Sequence, residues 1–168
     1  MTRDDLVKKA VEVTPPSPDC AGEFQEKSGI MAAELDSLML KRTDLEKLIG
    51  PDNQAMMSDN HSNHSRFMAS LLRDYRPEVL VDTILWVFRA YRAHGFHLTY
   101  WPAQLNAWLK VLEKHLSSES FQQVSQIYAF MIVNQPAFAR LSNPEEGRRR
   151  EGPAKDKQLS HRTRILHK

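Results

Sequence analysis

Apolar side chains recur every three or four residues along most of this chain, and that spacing constrains its fold more than any other feature. Between residues 30 and 141 each strongly apolar segment has this period, which is the period of one helix face. No segment alternates apolar and polar side chains with the period of two that a half-buried strand shows. The sequence therefore predicts an all-α domain over residues 30–141.

Glycine and proline residues mark the ends of the predicted helices. Gly50 followed by Pro51 ends one helix, and Pro77 suits the first position of another. Short connections lie at residues 74–76, 95–100 and 117–119. Because short links place successive helices side by side and antiparallel, we expect a compact bundle of about five helices.

The segment 77–94 is apolar around most of its circumference. A helix that is apolar on most sides is packed on most sides, so we expect this third helix at the centre of the bundle. The side chains that we expect in the core are Leu80, Ile84, Val87, Phe88 and Tyr91.

The two ends of the chain differ from the middle in composition. Residues 1–28 carry three prolines among scattered charges, and residues 145–168 carry eight Lys or Arg against four acids. Segments of this kind bury too little apolar surface to offset the entropy of ordering. We expect a flexible N-terminal segment over 1–28, in which the amphipathic residues 6–13 form at most a fraying or partner-dependent helix, and a basic disordered tail over 142–168. The densest basic run is Arg148, Arg149 and Arg150.

Cysteine usage and hydropathy indicate the compartment. The single cysteine, Cys20, cannot form a disulfide bond within the chain, and no Cys-x-x-Cys pair is present. Uninterrupted apolar runs such as residues 84–88 are far shorter than the roughly 20 residues of a membrane span. The first residues contain no apolar signal-peptide core. We expect a cytoplasmic protein with no membrane partner.

Two histidines lie on the apolar stripe of the second predicted helix, at about residues 53–73. The stripe follows steps of three and four residues through Met57, His61, His64, Met68, Leu71 and Tyr75. Imidazoles on such a face line a polar cavity or are held by buried partners, since an unpaired polar group in a core is costly. We expect His61 and His64 to face inward beside the third helix, either as satisfied core residues or as part of a binding pocket.

A second group of candidate binding residues surrounds the end of the third predicted helix. His94 and His97 flank this helix end, and aromatic residues are concentrated nearby. The aromatic candidates are Trp86, Tyr91 and Trp101, with Tyr100 beside Trp101 as part of the same cavity wall, and core filling is the alternative role for all of them. Because imidazole ligates zinc and haem iron, a metal- or haem-binding protein that uses His61, His64, His94 or His97 is an alternative.

No catalytic motif is present in the sequence. It contains no Gly-x-Ser-x-Gly elbow, no glycine-rich phosphate loop and no base positioned near its one thiol. Asp82 is the only acid in the interior of the third predicted helix, and an ion pair with Arg89 or Arg92 is the simpler role for it. We therefore expect no enzyme activity and no cofactor.

From Asp59 to Leu112 the order of residue types resembles a known family. A polar segment, Asp59-Asn60-His61-Ser62-Asn63-His64, is followed by the link Arg76-Pro77-Glu78, by Trp86, and by the exit Arg92-Ala93-His94-Gly95. This pattern resembles the globin-like, non-haem sensor domains at the N-terminus of RsbR-type stressosome proteins and related stand-alone helical proteins of bacteria. The resemblance implies a globin-like fold, frequent dimerisation and a regulatory role without haem. We expect no STAS output domain after these helices, so the resemblance implies action through a partner or through the basic tail.

These observations together favour a small cytoplasmic regulatory or sensory protein. Its expected partners are another protein, a second copy of the chain or a small molecule. Besides the haem- or metal-binding alternative, the basic tail allows a nucleic-acid-associated adaptor that uses Arg148, Arg149 and Arg150. The tail lacks the interleaved aromatic side chains that would stack on single-stranded nucleic acid.

Overall fold

The computed structural model describes residues 1–143, and this part of the chain is helical with no strand. Its eight helices are α1 (Arg3–Val11), α2 (Pro18–Leu40), α3 (Leu45–Ile49), α4 (Gln54–Arg73), α5 (Pro77–Ala93), α6 (Tyr100–His115), α7 (Ser118–Val133) and α8 (Gln135–Leu141). The prediction of an all-α fold is confirmed. The number of helices exceeds the expected five because α1, α3 and α8 are separate elements.

The longest helix, α2, organises the bundle. It packs against α4, α6 and α7, and its side chains Phe24, Met31, Leu35 and Met39 are fully buried. Helix α5 packs chiefly against α1 and α8. The helix over 77–94 therefore does not occupy the central position that its composition suggested.

Helix α5 is amphipathic. Leu80, Ile84 and Phe88 are buried, as expected. The other two expected core residues, Val87 and Tyr91, are half-buried, and Val79 and Trp86 are 44% and 63% exposed. The continuous apolar sequence overstated the burial of α5 because one side of this helix borders a cavity and solvent.

The N-terminal segment is helical, which corrects the expectation of a flexible segment over residues 1–28. Helix α1 begins with a capping box between Thr2 and Asp5, and Ser17 caps α2 immediately before Pro18. Leu6 of α1 is fully buried, and Arg3 pairs with Asp82 of α5. Proline favours the first turn of a helix because its fixed φ is already helical, so the N-terminal prolines do not prevent folding here.

Two loops at one end of the bundle are fastened to each other. Gly50 adopts a φ of +78°, and a side chain there would approach the carbonyl oxygen of Gly95 at 3.2 Å. The side-chain amide of Asn53 donates to the carbonyl oxygens of Ile49 and His94, at 2.7 and 2.8 Å. These bonds fix the end of α5 relative to the start of α4.

Of the predicted tail over 142–168, residues 144–168 lie outside the described residues, together with Arg148, Arg149 and Arg150. Within residues 1–143, none of the helices combines the length and apolar character that crossing a membrane requires. The globin-like arrangement stays a prediction.

Candidate functional site

A cavity of about 330 Å³ lies between α4, α5 and α6, and a side chain of α7 closes one side. It exists because α5 packs chiefly on α1 and α8, whereas α4 and α6 pack on α2. Its lining comprises Asn60, Asn63, His64 and Phe67 of α4; Thr83, Ile84, Trp86, Val87, Phe88 and Tyr91 of α5; Trp101, Gln104 and Leu105 of α6; and Met131 of α7.

Aromatic rings form much of the cavity wall. Phe88 stacks on Trp101 with 4.6 Å between ring centroids and 16° between ring planes. Tyr91 meets Trp101 edge to face at 5.8 Å. Trp86 also borders the cavity but is 63% exposed, which places it at the opening. The interior of the site is therefore apolar and flat-walled.

Two buried amides interrupt this apolar lining. Asn60 is 4% exposed and Gln104 is 2% exposed. The Gln104 amide nitrogen donates to Asn60 Oδ1 at 2.8 Å, and the Tyr100 hydroxyl lies 3.2 Å from the same oxygen. Contacts between α4 and α6 thus hold both amides at the cavity.

His61 lies behind this amide pair and is fully buried. Its Nδ1 pairs with the carboxylate of Asp36 on α2, and its Nε2 lies 3.0 Å from the Tyr100 hydroxyl. Burial lowers the pKa of His61, although Asp36 opposes that shift. The His61 ring thus lies between the Asp36 carboxylate and the Tyr100 hydroxyl, and that hydroxyl donates to Asn60 Oδ1 at 3.2 Å. His61 therefore orients Tyr100, which lies between His61 and Asn60.

His64 faces the cavity directly. Its Nε2 is hydrogen-bonded to the Tyr128 hydroxyl at 2.7 Å, and its ring centroid lies 5.2 Å from that of Trp108. Burial, with a smaller effect of nearby His61, lowers the pKa of His64 to about 3. Burial also raises the pKa of Tyr128, so this hydroxyl keeps its proton and His64 stays uncharged at neutral pH.

The predicted site residues separate into three groups in the structure. His64, Trp86, Tyr91 and Trp101 line the cavity, and His61 supports its polar wall from behind. His94 and His97 lie exposed in the connection between α5 and α6, away from the lining. Arg148, Arg149 and Arg150 belong to the residues that the structure does not describe.

The sequence analysis missed Asn60, Gln104 and Asp36. A signal for the two amides exists, because Asn60 follows Met57 by three residues and Gln104 follows Trp101 by three. Each amide therefore lies on the buried face of its helix. No comparable signal marks Asp36, whose role depends on the packing of α2 against α4.

The four histidines of the metal- or haem-binding alternative do not converge. Across residues 1–143 there is no group of three or more His, Cys, Asp or Glu side chains arranged to hold a metal ion. His61 and His64 are each engaged with tyrosine hydroxyls, and His97 Nδ1 lies 2.7 Å from the Thr99 hydroxyl. The haem alternative stays a prediction, which the absorption spectrum of the purified protein tests through the Soret band.

Comparison with known proteins identified no relative of this chain. No family model, no curated protein and no solved structure matches this chain. The resemblance to RsbR-type sensor domains therefore remains a prediction, and a functional assignment depends on the geometry of the cavity.

Proposed function

We propose that this protein is a regulatory sensor that binds a small, uncharged and mainly apolar molecule between α4, α5 and α6. The observation that carries this proposal is the aromatic-walled cavity with two buried amides at one side. Small-molecule sites are typically apolar clefts of about 300–1,000 Å³ with a few polar groups that fix orientation. The cavity, at about 330 Å³, suits a ligand at the small end of this range.

The electrostatics of the lining support an uncharged ligand. Among the described residues that line the cavity there is no Asp, Glu, Lys or Arg. His64, the one imidazole in the lining, has a pKa lowered to about 3. A charged ligand would lose its hydration without gaining a countercharge, which is unfavourable in an apolar site. The same lack of ionised groups favours binding over catalysis.

A contact between α5 and α8 supports a regulatory role. Arg92, near the end of α5, donates to the carbonyl oxygen of Ala139 at 3.0 Å and to the Ser142 hydroxyl at 3.2 Å. Helix α5 supplies six of the residues that line the cavity. A ligand that shifts α5 therefore changes the end of α8, which precedes residues 144–168. Binding to a protein partner, or to a second copy of the chain, remains a prediction.

A fluorescent dye titration tests the proposal. N-phenyl-1-naphthylamine is neutral, and its emission rises in apolar surroundings. We expect it to bind the native protein and to lose at least about tenfold in affinity in Val87→Trp, since a bulkier side chain at the lining occupies the cavity. Fluorescence titration gives both dissociation constants.

The matched control is Val79→Trp. Val79 lies on the same helix, is 44% exposed and does not line the cavity. We expect this variant to bind the dye as the native protein does, with thermal unfolding confirming that both variants fold. Equal binding by the native protein and both variants would place the dye elsewhere and refute the proposal.

A further inference from the structure

The hydrogen bonding of the two buried amides leaves one atom of each without a partner. Asn60 Oδ1 is engaged by the Gln104 amide nitrogen at 2.8 Å and lies 3.2 Å from the Tyr100 hydroxyl. Within residues 1–143 no protein group bonds Asn60 Nδ2 or Gln104 Oε1. A buried amide normally satisfies its donors and its acceptor, so these two atoms mark an incomplete set of hydrogen bonds.

The unpaired atoms border open space. Asn60 and Gln104 are more than nine-tenths buried and both line the cavity. Within the described residues, two side-chain atoms are both fully inaccessible and without a hydrogen-bond partner, and these are the indole nitrogens of Trp101 and Trp108. Asn60 Nδ2 and Gln104 Oε1 are not among them, so both atoms keep some accessible surface. We infer that these free ends of the two amides face the cavity that both residues line.

The free ends form a complementary pair. Asn60 Nδ2 is a donor and Gln104 Oε1 is an acceptor, and the bond between the two side chains keeps them adjacent. Their orientation follows from the hydrogen bond that Gln104 donates to Asn60. A ligand satisfies both when it presents an acceptor next to a donor, which is the edge of a secondary cis-amide.

We propose that the cavity recognises a planar, uncharged molecule with a lactam-type edge, in which a ring carbonyl accepts from Asn60 and the neighbouring ring N–H donates to Gln104. This inference rests on the proposed function and names its ligand class. The rings of Phe88, Trp101 and Tyr91 supply flat apolar surfaces for the remainder of such a molecule. Tyr100 acts as a positioning residue, since its hydroxyl donates to Asn60 Oδ1, and His61 holds Tyr100 in turn.

Three bicyclic probes test the inference on the native protein. 2-Quinolone carries the carbonyl next to an N–H, N-methyl-2-quinolone lacks the donor, and quinoline lacks the carbonyl and the N–H. We expect 2-quinolone to displace N-phenyl-1-naphthylamine at least about tenfold more tightly than either analogue, because buried groups left unpaired disfavour an incomplete ligand. One analogue is larger than 2-quinolone and the other is smaller, so size does not explain weak binding of both.

The variant Gln104→Met locates the effect. It keeps the length of the side chain but removes both the Oε1 acceptor and the nitrogen that donates to Asn60. We therefore expect the preference for 2-quinolone over N-methyl-2-quinolone to fall to about twofold or less, which is smaller than the contribution of one hydrogen bond. Gln126→Met is the matched control, because Gln126 is exposed on α7 and does not line the cavity. This control is expected to keep the full preference. The probe comparison on native protein stands by itself if Gln104→Met does not fold.

The outcomes separate this inference from the proposed function. If the dye binds the cavity but the three probes displace it with equal affinity, the proposed function holds and the lactam inference is overturned. A preference for 2-quinolone that persists in Gln104→Met overturns the assigned contact. If the dye does not bind the cavity at all, the proposed function fails and the inference fails with it.

Discussion

At the scale of the residue, His61 and His64 show how burial decides the chemistry of an imidazole. Each ring has a tyrosine hydroxyl at Nε2, and burial lowers the pKa of both. The sequence predicted that this helix face turns inward, because apolar spacing is a local property of α4. It did not identify the partners Asp36, Tyr100 and Tyr128, since these are brought to the rings by α2, α6 and α7.

The lowered pKa values predict acid sensitivity between pH 7 and pH 5. An unfolded histidine takes up a proton below about pH 6.5, whereas His64 in the folded state stays neutral until about pH 3. The unfolded state therefore binds more protons, and the free energy of unfolding decreases as the pH falls. The slope is at most about 1.4 kcal/mol per pH unit for each histidine. Urea denaturation at pH 7, 6 and 5 measures it.

The variant His64→Leu tests the source of this slope. Leucine takes up no proton, so we expect a shallower dependence on pH in this window. At pH 7 the lost bond to Tyr128 lowers stability by about 1–3 kcal/mol, because a buried hydroxyl is left unpaired. A slope identical to that of the native protein would show that His64 does not contribute.

Phe88 is the residue at which α5, α6 and α8 meet. It is 4% exposed, stacks on Trp101 and lies 6.1 Å from the ring of Phe138. We expect Phe88→Ala to lower the free energy of unfolding by about 3–5 kcal/mol. The neighbouring exposed Arg89 provides the control, since Arg89→Ala at the surface is expected to change stability by less than about 0.5 kcal/mol. Similar losses from both would mean that Phe88 is not in the core.

At the scale of the element, α1 is the clearest difference between the sequence-based prediction and the structure. The charges around residues 3–9 and the three following prolines suggested flexibility. The structure caps α1 at Thr2 and packs Leu6 and Ala10 in the core. Two buried side chains per nine-residue helix are a weak local signal, and their burial depends on α5, which lies more than 60 residues away in the chain. By contrast, α4, α6 and α7 carry complete stripes and were predicted from them.

A substitution in α1 tests whether this helix belongs to the folded domain. We expect Leu6→Ala to lower the free energy of unfolding by about 2–5 kcal/mol, the usual loss for a buried leucine. Lys8→Ala on the exposed side of α1 is expected to change it by less than about 0.5 kcal/mol. Chemical denaturation measures the free energy of unfolding of both variants. An unchanged value for Leu6→Ala would support the prediction of a flexible N-terminal segment.

At the scale of the whole molecule, the cavity results from the packing arrangement of the helices. Helix α2 packs against α4, α6 and α7, whereas α5 packs against α1 and α8. Local periodicity predicts which face of each helix is buried but not which helices touch, so the sequence alone could not locate the space between α4, α5 and α6. For the same reason it could not bring Asn60 and Gln104 together.

This arrangement predicts that ligand binding in the cavity slows amide hydrogen exchange in α8. Arg92 links the end of α5 to Ala139 and Ser142. We expect N-phenyl-1-naphthylamine to slow amide hydrogen exchange in α5 and α8, since ligand binding stabilises the folded state locally and globally. In Arg92→Met the protection of α5 is expected to remain while that of α8 decreases. Exchange that slows only around α4 and α6 would argue against transmission through α5.

A crystal structure of the protein grown with N-phenyl-1-naphthylamine tests whether the cavity is a ligand-binding site. We expect electron density for the dye between α4, α5 and α6, in contact with Trp101 and beside the amides of Asn60 and Gln104. Electron density for the dye only at another surface would refute the proposed binding site.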